Sequence, residues 1–205
     1  MGKMIAQLAP GHDAVIFHLI RRSEDWPLAA GQPLVLRIDN ATIPIRSVVV
    51  HGRNGASLDV RLVAEVVRSF RGGGPAPTTV TVDGVTIPIP PGVVVLLLKM
   101  ELVDSNGHAV PVDDAGITFS VLKRDLASLG LLPRQVVLTH WNGRSWDALS
   151  TQGASESDDE AFFTATTTGF SPFAISGDRT PPTVSFALDQ GVLRATLADG
   201  LSGVD

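Results

Sequence analysis

The chain has 205 residues, 44% of them hydrophobic and 18% charged, with a formal net charge of −5 and no cysteine. That length accommodates one domain of about 150 residues and part of another, and the composition allows a packed core rather than global disorder. Disulfides, thiolate metal sites and a cysteine nucleophile are excluded outright, and without a cluster of Lys and Arg to meet phosphates the negative balance argues against nucleic acid.

Residues 1–9 read as a disordered N-terminus or the end of a fragment. Residues 1–20 contain His12, Asp13 and His18, so they lack the apolar core of a secretory signal. Residues 15–19 form the first strand candidate, and Leu34, Leu36 and Ile38 alternate with Val35, Arg37 and Asp39 in a second. Residues 43–50 follow, with Pro44 near the start predicting an edge position. Asn54-Gly55 is a hairpin turn signal. Beyond it Leu58, Val60 and Leu62 alternate like a strand, while Leu58, Leu62, Val66 and Phe70 also fit helical spacing. The valine content and flanking turns favour the strand.

Gly72-Gly73-Gly74-Pro75 makes a loop that precedes no helix and no Lys-Ser/Thr pair, so it is not a phosphate cradle. Residues 78–82 and 85–89 flank Asp83-Gly84, a second two-residue hairpin signal. Residues 93–102 begin apolar on both faces and end alternating, with Lys99 and Glu101 outward, which predicts a strand central at one end. The longest apolar run, residues 92–98, is strand-sized and well short of the roughly 18 residues of a membrane helix. Residues 117–121 alternate as a strand, and residues 123–129 form a short helix with Gly130 at its left-handed cap and Pro133 beyond. Residues 136–141 and 146–149 pair around Asn142-Gly143, residues 162–167 form another strand, and Thr168-Gly169-Phe170-Ser171-Pro172-Phe173-Ala174-Ile175 closes the unit.

The whole reads as a mostly-β chain, an antiparallel β-sandwich over residues 10–177 with one short helix. Residues 178–182 form a Pro-rich linker. Residues 183–205 then hold a hairpin about residues 189–191, with Val184, Phe186, Leu193, Ala195 and Leu197 on one apolar face. Two strands do not make a stable domain, so this is read as a second β-domain cut short.

Residues 117–177 resemble the PGF-pre-PGF domain of archaeal and some bacterial cell-surface proteins. The resemblance rests on strand 117–121, the helix with its exit through Leu129 and Pro133, strand and turn 136–143, Trp146, the acidic turn 156–160 and the closing motif 168–175. Residues 31–102 match the domain more loosely, and Thr180-Pro181-Pro182-Thr183 with Ser202-Gly203-Val204-Asp205 looks like the opening of a bacterial immunoglobulin-like repeat. The family is a module of large surface and S-layer-associated proteins with no established activity. The resemblance therefore implies an extracellular, cell-surface location, with the targeting segment outside this sequence. It implies neighbouring β-domains of the same polypeptide as partners, with surface glycans or other surface proteins as further ones. The family sits near an exported protein's C-terminus before a sorting signal, whereas here another β-segment follows.

Trp141 and Trp146 flank a turn and read either as a sugar-stacking platform or as a stapled hairpin, the second being favoured. Glu156, Asp158, Asp159 and Glu160 put four carboxylates within five positions; Ca²⁺ is the candidate cation, yet the spacing is not an EF-hand and a solvated turn is the better reading. Asp104, Asp113 and Asp114 flank neighbouring turns in the same way. His12, His18, His51, His108 and His140 are scattered with no ligand-like spacing, and Ser57, His51 and Asp59 form no nucleophile elbow. Asn40-Ala41-Thr42 is a glycosylation sequon. Gly130, Asn142, Gly143, Gly169, Phe170, Pro172 and Phe173 are read as structural, with Phe170 and Phe173 plugging the sandwich and Gly169 letting the chain turn. The expected function is a non-catalytic structural or adhesive surface module, without a cofactor. The alternative is a carbohydrate- or cation-binding module serving an extracellular enzyme. An enzyme in its own right ranks last, for want of a nucleophile–base or metal constellation.

Overall fold

The computed structural model describes residues 3–8, 15–20, 33–38, 43–52, 61–69, 77–104, 106–179, 183–190 and 192–198. In chain order the first strands are β1 (Lys3–Leu8), β2 (Val15–Ile20), β3 (Leu34–Arg37), β4 (Ile45–Gly52) and β5 (Arg61–Ser69). Next come β6 (Thr79–Val82), β7 (Val85–Pro88), β8 (Val93–Val103), β9 (Val112–Leu122) and the helix α1 (Lys123–Ser128). A 3₁₀ turn at Pro133–Gln135 leads into β10 (Val136–Trp141), β11 (Trp146–Ala148), β12 (Thr151–Glu156), β13 (Glu160–Thr167) and β14 (Pro172–Gly177). The last two strands are β15 (Thr183–Asp189) and β16 (Val192–Ala198).

Two antiparallel sheets face each other. One runs β1-β2-β5-β8-β14-β10-β11 and the other β12-β13-β9-β4-β3, while β6-β7 and β15-β16 are separate two-stranded ribbons. Alternation decides which side chains fill the space between the sheets. Leu34 and Leu36 of β3, Val48 and Val50 of β4, Ile117 and Phe119 of β9, and Phe163 of β13 meet Leu98, Met100, Leu138, Phe173 and Ile175 from the opposite sheet in one core. Phe119 and Phe163 stack with ring centroids 5.2 Å apart. This is the mostly-β sandwich that the sequence predicts.

β8 lies between β5 and β14, which explains its apolar run. Leu96, Leu98, Met100 and Leu102 face the main core, and Val94 and Leu97 face the other way, under β6 and β7. Helix α1 closes one end. The N–H of Gly130 (φ +64°) bonds to Ala127 O and that of Leu131 to Leu126 O, a Schellman cap whose two leucines both enter the core. A β-carbon on Gly177 would collide with the side chain of Leu131, so any larger residue there must push that leucine aside.

Several expectations change. Lys3–Leu8 is not disordered but forms β1, paired with β2. β4 is not an edge strand, because it sits between β9 and β3; Pro44 precedes it and its carbonyl accepts from Ser120 N at 2.8 Å. The polar stretch at β12 is a strand that apolar patterning does not reveal. At the start of the Pro-rich segment, Asp178 is buried and its N–H bonds to Gln135 O at 2.9 Å. Asn40, Ser57, Asp59 and residues 180–182 lie outside the described residues.

Candidate functional site

The tryptophan hairpin is built as its turn chemistry demands. Asn142 Oδ1 accepts from the N–H groups of Arg144 and Ser145, Asn142 Nδ2 donates to Asp147 Oδ2, and Gly143 has φ +95°. Trp141 and Trp146 are therefore direct cross-strand partners, with ring centroids 5.6 Å apart and planes at 56°. Both rings pack against a second, smaller core on the outer face of the seven-stranded sheet. There the β6–β7 ribbon lays Val82 and Ile87 over Val94, Leu97 and Ala174.

Two fasteners hold that ribbon. Trp146 Nε1 donates to Pro88 O at 2.8 Å, and Lys99 Nζ pairs with Asp83 Oδ2 at 2.6 Å, with Glu101 at 3.2 Å on the same ammonium. Asp83 and Gly84 both have positive φ, the signature of the type I′ turn that places Asp83 over Lys99. Burial of Lys99 works to lower its pKa, but the hydrogen bonds and charges of Asp83 and Glu101 outweigh it, and the net direction is upward. Pro88, Asp83 and Lys99 were not legible as parts of this site; only the Asp83-Gly84 turn signal hinted at a ribbon.

The four acidic residues do not converge. Glu156 pairs with Lys123 at 2.8 Å and Glu160 with Arg46 at 2.6 Å, on different partners, while Asp158 and Asp159 stay exposed at the turn. Ser157 Oγ accepts from Glu160 N, and Asp159 O accepts from the first N–H of α1, Lys123 N, at 2.8 Å. The turn thus fixes the start of the helix. Asp104 Oδ1 accepts from the N–H groups of His108 and Asn106, with the His108 bond the larger reason its carboxyl lies below the usual range. His51 Nδ1 and Asp114 Oδ1 meet at 2.5 Å in the open, a pair spaced 63 residues apart in sequence and so invisible there. Among the described residues no three His, Asp or Glu side chains group to hold a metal ion.

The closing motif divides unequally. Phe173 is fully buried in the main core, whereas Phe170 is only partly buried against it. Gly169 does not use positive φ, and a β-carbon there would stand 4.0 Å from His140 Cε1, an ordinary contact; its predicted turning role is not required. Ser171 Oγ donates to Trp141 O at 2.5 Å, tying the motif to the tryptophan hairpin, and Pro172 opens β14. His140 lies half-buried against Phe173, ring centroids 4.8 Å apart, with Nε2 buried and unpartnered. Burial lowers its pKa, opposed weakly by Asp147.

Comparison with family models, with curated proteins and with solved structures finds no match to this chain.

Proposed function

We propose that the chain is a non-catalytic structural or adhesive module of a multidomain cell-surface protein, of the PGF-pre-PGF kind that residues 117–177 resemble. The observation that carries this reading is the β15–β16 ribbon. Its register sets Phe186 opposite Ala195 and Leu188 opposite Leu193, and Val184, Phe186, Leu188 and Leu193 are all more than half exposed. An apolar β-face becomes stable when another sheet covers it, so the ribbon suits docking of a neighbouring β-domain, as an immunoglobulin-like repeat would supply. The occupation of both indoles and of Glu156 and Glu160 by contacts within the fold supports the same reading. Protease shaving of intact source cells should release peptides of this chain; retention of the protein inside shaved cells sinks the surface location.

A carbohydrate-binding role is the second reading, favoured by the part of each indole that stays exposed. A glycan array separates the two. The structural reading expects no specific sugar, and a sugar bound by the wild type and lost on Trp141→Ala would reverse the order.

A further inference from the structure

Along one side the sandwich is open, where β12 ends the five-stranded sheet. A groove of about 580 Å³ lies there, bounded by β12 from Thr151 through Glu156 and by Pro133, Arg134 and Val136. Ala161 and Phe163, two side chains of the main core, also line it. β12 is paired on one side only, with β13. In an antiparallel strand alternate N–H and C=O groups point to opposite sides, so about half of those in β12 face away from β13. Such an edge is a template for a further strand unless charges, prolines or helices cover it. Gln152, Gly153, Ala154 and Ser155 are exposed and small or neutral, which lets another backbone come close. The bulge between Gly153 and Ser155 splits the edge into two short runs, suiting a segment of a few residues rather than open-ended sheet growth.

The charge of the groove selects the segment. Glu156 is already neutralised by Lys123 at 2.8 Å. Arg134 is exposed and has no ion-pair or hydrogen-bond partner among the described residues. A guanidinium in that position is matched by a carboxylate, which it can bind through two parallel hydrogen bonds. We propose that β12 is a strand-addition site. An extended peptide segment of another protein, ending in a carboxylate, extends the five-stranded sheet, its backbone paired to β12 and its carboxylate on Arg134. β11, at one edge of the seven-stranded sheet, has only three residues, half the length of β12. The inference stands apart from the cell-surface reading, because it concerns only what the groove accepts.

The test is an amide-shift titration of the isotope-labelled full chain with an acetylated pentapeptide of alternating threonine and valine, as free acid and as C-terminal amide. Shifts should concentrate in residues 133–136 and 151–156. The amide form should bind about tenfold more weakly, Arg134→Ala should cost the free acid about the same factor, and Arg134→Lys should fall between. Methylating alternate peptide nitrogens should abolish binding. Arg134 is exposed, so an unchanged denaturant midpoint will show that its variants remain folded. The proposal is overturned by absence of shifts at millimolar peptide, by shifts centred on another edge, or by indifference to Arg134. It is equally overturned if β12 amides of the free protein shift on dilution, since the edge would then belong to a second copy of this chain.

Discussion

Replacing Trp146 by alanine separates a structural indole from a ligand platform. The side chain is half-buried and packs on the smaller core, so the change returns on the order of 100 Å² of apolar area to water, about 2.5 kcal/mol. The lost bond from Nε1 adds about 0.5 kcal/mol, at the low end because Pro88 is exposed and water replaces the indole at its carbonyl. The sum, about 3 kcal/mol, should fall on the β6–β7 ribbon first, because that ribbon pairs with no strand of either large sheet. Hydrogen exchange is the assay. Amides of β6 and β7 should exchange about a hundredfold faster, while those of β8 and β9 change less. Trp146→Phe keeps a ring and should cost about 1 kcal/mol. If Trp146→Ala leaves both ribbon exchange and the denaturant midpoint unchanged, the indole is not a fastener and the energetic reasoning fails.

Phe173→Ala, at a fully buried position, should cost about 3–5 kcal/mol, and Phe170→Ala clearly less because its ring is only partly buried; equal shifts in denaturant midpoint would contradict the unequal burial. Gly177→Ala should cost about 1–3 kcal/mol by forcing the buried Leu131 side chain aside, a loss that Leu131→Ala introduced on the same chain should partly cancel in a double-mutant cycle. His140 has a folded-state pKa below its ordinary 6.5, so on acidification the unfolded chain takes the proton first. The stability tied to neutral His140 is therefore complete above pH 6.5 and is lost as pH falls from there through the depressed folded value. His140→Phe should flatten that part of the urea-midpoint profile, and an unchanged profile would remove His140 as its source. Deleting residues 183–205 should leave the melting temperature nearly unchanged, since none of the described side chains of β15 and β16 enters either core, and should make the protein more monodisperse on a sizing column; unfolding of the remainder would show the ribbon to be integral.

What the sequence determined by itself was local. Alternation at residues 34–38 and 117–121, the Asp83-Gly84 and Asn142-Gly143 turns, and the Gly130 cap each specify a conformation through neighbours a few residues apart, and each is present. The doubly apolar start of β8 announced a central strand because burial on both faces leaves no polar alternation to find. Tertiary structure decided what alternation could not carry. β12 is polar because it is an edge with its side chains in water, so only its pairing with β13 makes it a strand. Pro44 suggested an edge, yet the proline falls before β4 begins and β3 completes the sheet beyond it. The candidate sites depended on distance in space: Asp83 reaches Lys99 and Pro88 reaches Trp146 because a ribbon folds over the sheet. Arg46 likewise draws Glu160 out of the acidic turn because β4, β9 and β13 are neighbours. Turns and strands are encoded by short-range sterics and periodicity, whereas the partners of a charged or aromatic side chain are chosen by which strands the sheets bring together.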